Sequence, residues 1–100
     1  MKILAMEKGI VDIKPEQLAP HLKAEAAQVW KLVQDGLIRE TYFRTDRTEA
    51  VLMLECADLG EAQRVLQSLP LVKEGLICFE VIPLKPYTGF ARLFENDAQT

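Results

Sequence analysis

The chain has 100 residues, 49% of them hydrophobic and 27% charged, with a formal net charge of -3, the size and composition of a single globular domain. Its Lys and Arg residues are scattered rather than clustered, which argues against the phosphate attraction that a nucleic-acid partner needs. No stretch nears the roughly 20 apolar residues of a membrane span, and Met1 to Met6 is too short for a signal-peptide core before Glu7 and Lys8, so a cytoplasmic protein is expected.

Ile3 to Glu7 reads as a strand ending at Lys8-Gly9. Pro15 suits the first turn of a helix. Leu18, Leu22, Ala26, Val29 and Val33 then recur at helical spacing on one stripe, and Gly36 supplies a C-terminal stop. Leu37 to Arg44 is rich in β-forming residues, and the polar turn Thr45-Asp46-Arg47-Thr48 joins it to the run Glu49 to Glu55 as a hairpin. With Asp46-Arg47 at the tip, Arg44 opposes Glu49, Tyr42 opposes Val51, Glu40 opposes Met53 and Ile38 opposes Glu55, all on one face. Phe43, Thr41, Arg39, Ala50, Leu52 and Leu54 fall on the other face, which suits packing against helices. Val51 and Met53 leave the first face nearly as oily as the second, so a second layer is expected over a cavity lined by Glu40, Tyr42, Met53 and Glu55.

Asp58 and Glu61 form a D-x-x-E capping box that opens a helix with Ala62, Val65, Leu66 and Leu69 inward and Pro70 at its end. Leu76 to Ile82 is the last strand, broken by Pro83. The segment Pro86 to Phe94 is apolar and aromatic without a clear period, and is expected to dock, as part of a tail spanning residues 85–100 beyond a core of 1–84. Cys56 and Cys78 have no metal-ligand spacing and sit in apolar runs, so both are expected as buried free thiols.

The order strand, helix, strand, strand, helix, strand is the split βαβ pattern of the α+β ferredoxin-like fold, βαββαβ with an antiparallel sheet. If its central first and third strands run in parallel, Glu7 and Glu55 at their ends become neighbours, and two close carboxylates in a partly dry site raise one pKa. A short chain with an uncovered sheet face is expected to self-associate as a homodimer or larger homo-oligomer.

The stretch from Leu22-Lys23-Ala24-Glu25 through Gly36 and Arg39 to Glu61-Ala62, Leu69-Pro70-Leu71 and Glu80-Val81 resembles the muconolactone isomerases, over about four-fifths of the chain. The resemblance implies a dimeric α/β barrel, in which two ferredoxin-like subunits lay their open sheet faces together around a small-molecule pocket. It implies cofactor-free proton transfer that shifts a double bond in an unsaturated lactone. Glu80 and Arg39 fall on ionisable family positions. The first strand, Ile3 to Met6, is more apolar than the family's, and the Tyr87 to Phe90 tail lacks its charged ending.

Glu80 is the leading candidate for the proton-transferring carboxylate, followed by Glu55, with His21, the one histidine, as a further general acid or base. Substrate binding is assigned to Tyr42, Arg39, Glu40, Met53 and Glu7. Arg39 offers a bidentate fork for a carboxylate, and Tyr42 a ring wall with a hydroxyl. Trp30, at the edge of the first helical stripe, reads as a residue buried at a subunit contact. The sequence carries no Gly-rich phosphate loop, nucleophile elbow, H-E-x-x-H or paired C-x-x-C, so neither cofactor nor metal is expected. Two other readings use the same architecture: a non-catalytic ligand-binding or interaction module, and a cofactor-free monooxygenase.

Overall fold

In the computed structural model, which describes residues 1–95, the chain opens with strand β1 (Lys2–Gly9), the helical turn α1 (Pro15–Leu18) and a 3-10 turn (Ala19–His21) that leads into helix α2 (Leu22–Gln34). Strands β2 (Ile38–Phe43) and β3 (Ala50–Glu55) form the hairpin. Helix α3 (Leu59–Gln67), the short helix α4 (Pro70–Lys73), strand β4 (Ile77–Pro83) and a 3-10 turn (Gly89–Phe94) complete it. Residues 96–100, the end of the expected docking tail, lie outside the described residues.

The strands form one sheet in the order β2-β3-β1-β4, with every neighbouring pair antiparallel. This is the α+β ferredoxin-like arrangement. The expected parallel pairing of the first and third strands is therefore wrong: Lys2 lies opposite Glu55 and Met6 opposite Val51. Glu7 and Glu55 stand at opposite ends of the central strand pair, because the helical connection brings β2 back in the direction of β1 and the hairpin then reverses the chain once, leaving β3 antiparallel to β1.

The hairpin keeps the expected register near its tip, with Tyr42 opposite Val51 and Glu40 opposite Met53. The alternation then breaks at a bulge between Ile38 and Glu40, so Ile38 meets Leu54 rather than Glu55. An extra residue in one strand reverses which face the following side chains take. Ile38 accordingly turns to the helix side and is 1% exposed, whereas Arg39 stays exposed and donates from Nε to the Gly36 carbonyl at 2.8 Å.

The helix side holds the main core. Ile3, Ala5, Ile38, Leu52 and Leu54 from the sheet pack with Leu32 of α2 and Ala62, Val65, Leu66 and Leu69 from the α3 region. Helix α2 closes at Gly36, whose φ of +78° allows Leu37 N–H to reach back to the Leu32 carbonyl at 3.0 Å. At α3, Asp58 accepts from Glu61 N–H at 2.8 Å. The return bond of the capping box runs from Ala57 N–H to the Glu61 carboxylate at 2.9 Å, one residue earlier than the usual pattern. Cys56 is buried, but Cys78 is exposed on the open sheet face, contrary to expectation.

That open face carries Leu4, Met6, Val51, Met53 and Ile82, each half-buried within the single chain. Beyond Leu84, whose N–H closes the ladder on the Lys2 carbonyl at 2.9 Å, the chain leaves the sheet. Tyr87, Phe90, Leu93 and Phe94 are all exposed, and the Tyr87 and Phe90 rings stack edge to face at 4.9 Å. The radius of gyration is 17.6 Å, against about 13 Å for a compact chain of this length.

Candidate functional site

A cavity of about 620 Å³ opens between the helix side of the sheet and α2. It lies at the end of the sheet where β1 finishes and β4 begins. Its floor is Ala50, Leu52 and Phe79, and its helical wall is Leu22, Ala26 and Val29. Trp30 and Phe43 border it and are 63% and 70% exposed. Trp30 thus forms part of the cavity's rim in this chain.

Two carboxyl groups break the apolar lining, Glu7 and Glu25. Glu7 belongs to the last part of β1, where the pleat points it to the helix side, like Ile3 and Ala5. Its Oε1 accepts from the Ala50 N–H at 3.0 Å. Glu25 sits one turn beyond Leu22 on α2, and its Oε1 accepts from the Leu71 N–H at 3.0 Å. Each carboxyl is therefore steered by one backbone donor, and among the described residues its second oxygen accepts no further hydrogen bond.

Burial pushes the Glu7 carboxyl above its ordinary value of 4.5, opposed by the Ala50 hydrogen bond and reinforced by the negative charges of Glu49 and Glu25. Burial likewise raises Glu25, opposed by the Leu71 hydrogen bond. A partly desolvated carboxyl that holds its proton more tightly than an exposed one is a candidate for general acid-base work.

Glu7 also forms a wall of a second, polar cleft of about 320 Å³, shared with Lys8, Arg44, Arg47, Glu49 and Glu80. The cations there face acids. Lys8 pairs with Glu80 at 3.5 Å, Arg44 with Asp46 at 2.7 Å, and Arg47 with Glu49 at 3.6 Å. The Arg44 hydrogen bond holds the Asp46 carboxyl below its ordinary value.

The sequence candidates divide between the two faces. Glu7 lines the cavity, and Tyr42 borders it from the edge strand. The Tyr42 hydroxyl donates to Glu40 at 2.7 Å, and that bond raises the phenol's pKa. Glu80 lies opposite Met6 on the open face, beside Lys8. Met53 and Glu55 share that face, away from the cavity. Glu55 meets the N-terminal ammonium at 2.8 Å, which lowers its pKa. His21 ends the 3-10 turn before α2, and Arg39 is bound to the helix end at Gly36; neither lines the cavity. The cavity of the single chain is thus on the helix side, opposite the face the hairpin pattern suggested.

Glu25 was not among the sequence candidates, although it was within reach of the sequence. It flanks the stripe of Leu22, Ala26 and Val29, where an acid interrupts an otherwise apolar helix face. Among the described residues, no group of three or more His, Cys, Asp or Glu side chains is placed to hold a metal ion, and no helix is long and apolar enough to cross a membrane.

No protein-family model matches the chain, and no curated protein matches it in sequence. Its backbone is similar to the solved structure of 5-chloro-2-hydroxyhydroquinone dehydrochlorinase (TftG) from Burkholderia phenoliruptrix AC1100, in complex with 2,5-dihydroxybenzoquinone. The TM-score is 0.64, with 20% identity, over 89% of this chain and 98% of that one. The likeness shows that the two chains share a ferredoxin-like α+β fold.

Proposed function

We propose that this protein binds a small unsaturated carbonyl or lactone compound in the helix-side cavity and shifts its double bond by proton transfer without a cofactor. The observation that carries the reading is the pair of half-buried carboxyls, Glu7 and Glu25, each accepting one backbone N–H and both lining an otherwise largely apolar cavity. One carboxylate removes a proton next to the carbonyl, and the same group returns it further along the conjugated system. The second carboxyl, protonated, donates a hydrogen bond to the carbonyl oxygen as negative charge develops there. The resemblance to muconolactone isomerases supports the reaction class. The small-molecule complex of the structurally similar dehydrochlorinase supports use of this fold for cyclic, oxygenated ligands.

The reading includes a second copy of the chain over the open face, whose half-buried Leu4, Met6, Val51, Met53 and Ile82 lack a covering layer. In that homodimer Glu80 and Glu55 come to line an intersubunit space, where Glu80 is the alternative base. The tail from residue 85 onward docks on the partner. The compartment we propose is the cytoplasm.

The test is deuterium incorporation next to the carbonyl of a panel of unsaturated lactones, enones and hydroxyquinones, with oxygen uptake recorded alongside. Glu25→Gln or Glu7→Gln is expected to lower exchange roughly a hundredfold or more, with Glu80→Gln close to wild type. Loss confined to Glu80→Gln moves the chemistry to the open face. Oxygen consumption supports the monooxygenase reading, and binding without exchange by any form supports a non-catalytic ligand-binding module.

A further inference from the structure

The cavity's lining constrains the charge of what enters it. Among the described residues that line it, Glu7 and Glu25 are the acids, and none is Lys, Arg or His. Arg39, the sequence candidate for gripping a carboxylate, is held outside at the Gly36 carbonyl. The cations beyond the Glu7 wall, Lys8, Arg44 and Arg47, lie in ion pairs with Glu80, Asp46 and Glu49. A ligand carboxylate placed here would leave water for a space that offers it two acids and no compensating cation, which is strongly unfavourable.

We propose that the cavity selects a cationic ligand, a protonated amine on an apolar or aromatic frame, and rejects carboxylates. The proposal rests on the cavity being the ligand site. An ammonium brings three donors and no acceptor, which matches two acceptor carboxyls that, among the described residues, each take one backbone N–H through a single oxygen. Trp30, Phe43 and Phe79 give the same space aromatic faces, and such faces attract cations. The aliphatic wall of Leu22, Ala26 and Val29 accommodates the frame. A cation beside one of the carboxyls favours its ionised form, the form that proton abstraction needs.

The experiment uses three probes on one frame, 3-phenylpropylamine, 3-phenylpropan-1-ol and 3-phenylpropanoate, titrated into the full chain at neutral pH, with Trp30 fluorescence and amide shifts as readouts. The amine is expected to bind at least roughly tenfold tighter than the alcohol, and the alcohol tighter than the carboxylate. Glu7→Gln and Glu25→Gln should each erode the amine's advantage over the alcohol. If a Gln variant does not fold, the wild type titrated at falling pH gives the same information, because the advantage shrinks as Glu7 and Glu25 protonate, with Glu49 the other acid beside Glu7. Equal binding of carboxylate and amine overturns the proposal and leaves the cavity as a ligand site. An amine advantage that survives both Gln substitutions overturns it in the same way. No binding of any probe overturns both the proposal and the cavity reading.

Discussion

Glu7 accepts the Ala50 N–H at 3.0 Å one residue past Met6 opposite Val51, the last paired position of β1 and β3. Glu49 returns the favour across the same gap, accepting the Gly9 N–H at 3.0 Å. Two side-chain carboxylates thus continue a ladder that the backbones have left. The arrangement holds the Glu7 carboxylate in place at the cavity wall.

Removing that acceptor should loosen the seam. Glu7→Ala leaves the Ala50 N–H, partly shielded from water, without its partner, at a cost of about 1 to 3 kcal/mol. Glu7→Gln retains an acceptor oxygen. Hydrogen exchange at the Ala50 amide is expected to accelerate in the Ala variant and to stay near wild type in the Gln variant. Equal exchange in all three forms would show that the amide is protected by something other than Glu7.

Stability should depend on pH in the direction set by burial. Both cavity carboxyls have pKa values raised above the ordinary 4.5, so the folded chain holds their protons more tightly than the unfolded chain does. Between 4.5 and the raised values the folded state binds more protons, and its stability falls as pH rises. Their contribution is therefore full below 4.5 and lost above. Asp46 and Glu55 act oppositely: their pKa values are lowered, and their contribution is lost at acid pH. Glu25→Gln removes one of the groups that favour acid, so its melting temperature at neutral pH is expected to equal or exceed wild type's, with a flatter decline across mildly acidic pH. A variant that melts lower at neutral pH with an unchanged slope would contradict the sign.

The element order and the helix-facing core were legible because they follow from periodicity. The stripe on α2, the Asp58 cap, the glycine stop at Gly36 and the alternation of Leu52 and Leu54 each have one structural meaning. Ile38 was misassigned because a bulge changes the phase of a strand without any residue type that announces it. The site was harder to read, since a carboxylate's role depends on which neighbours cover it. Glu55 and Glu80 look as embedded in apolar runs as Glu7 does, yet Glu55 meets the N-terminal ammonium and Glu80 a lysine. Glu25 gains its surroundings from Leu71, far away in sequence.

Self-association through the open face should be visible as mass. Light scattering behind size-exclusion chromatography is expected to give at least a dimer at micromolar concentration. Met53→Lys, on the open face and half-buried, should shift the population toward monomer, because burying an unpaired ammonium at an apolar contact is costly. Its far-ultraviolet spectrum should remain that of wild type. A monomeric wild type would remove the intersubunit space and with it the role suggested for Glu80.

Ending the chain after Lys85 tests the tail while preserving the ladder bond from Leu84 N–H to the Lys2 carbonyl at 2.9 Å. The deleted segment includes Tyr87, Phe90, Leu93 and Phe94, which are between 65% and 85% exposed, so its loss should cost the core of one subunit little. Exposed aromatic groups of this size favour burial against another surface, and β4 delivers them beyond the Ile3 end of the sheet, opposite the cavity end at Ile77. A second copy is therefore the surface they are expected to reach. Truncation should weaken assembly by roughly tenfold or more in dissociation constant, leaving the monomer's circular dichroism unchanged, and restoring the segment up to Phe94 should restore assembly. Unchanged assembly and melting temperature after truncation would show that the tail contributes to neither.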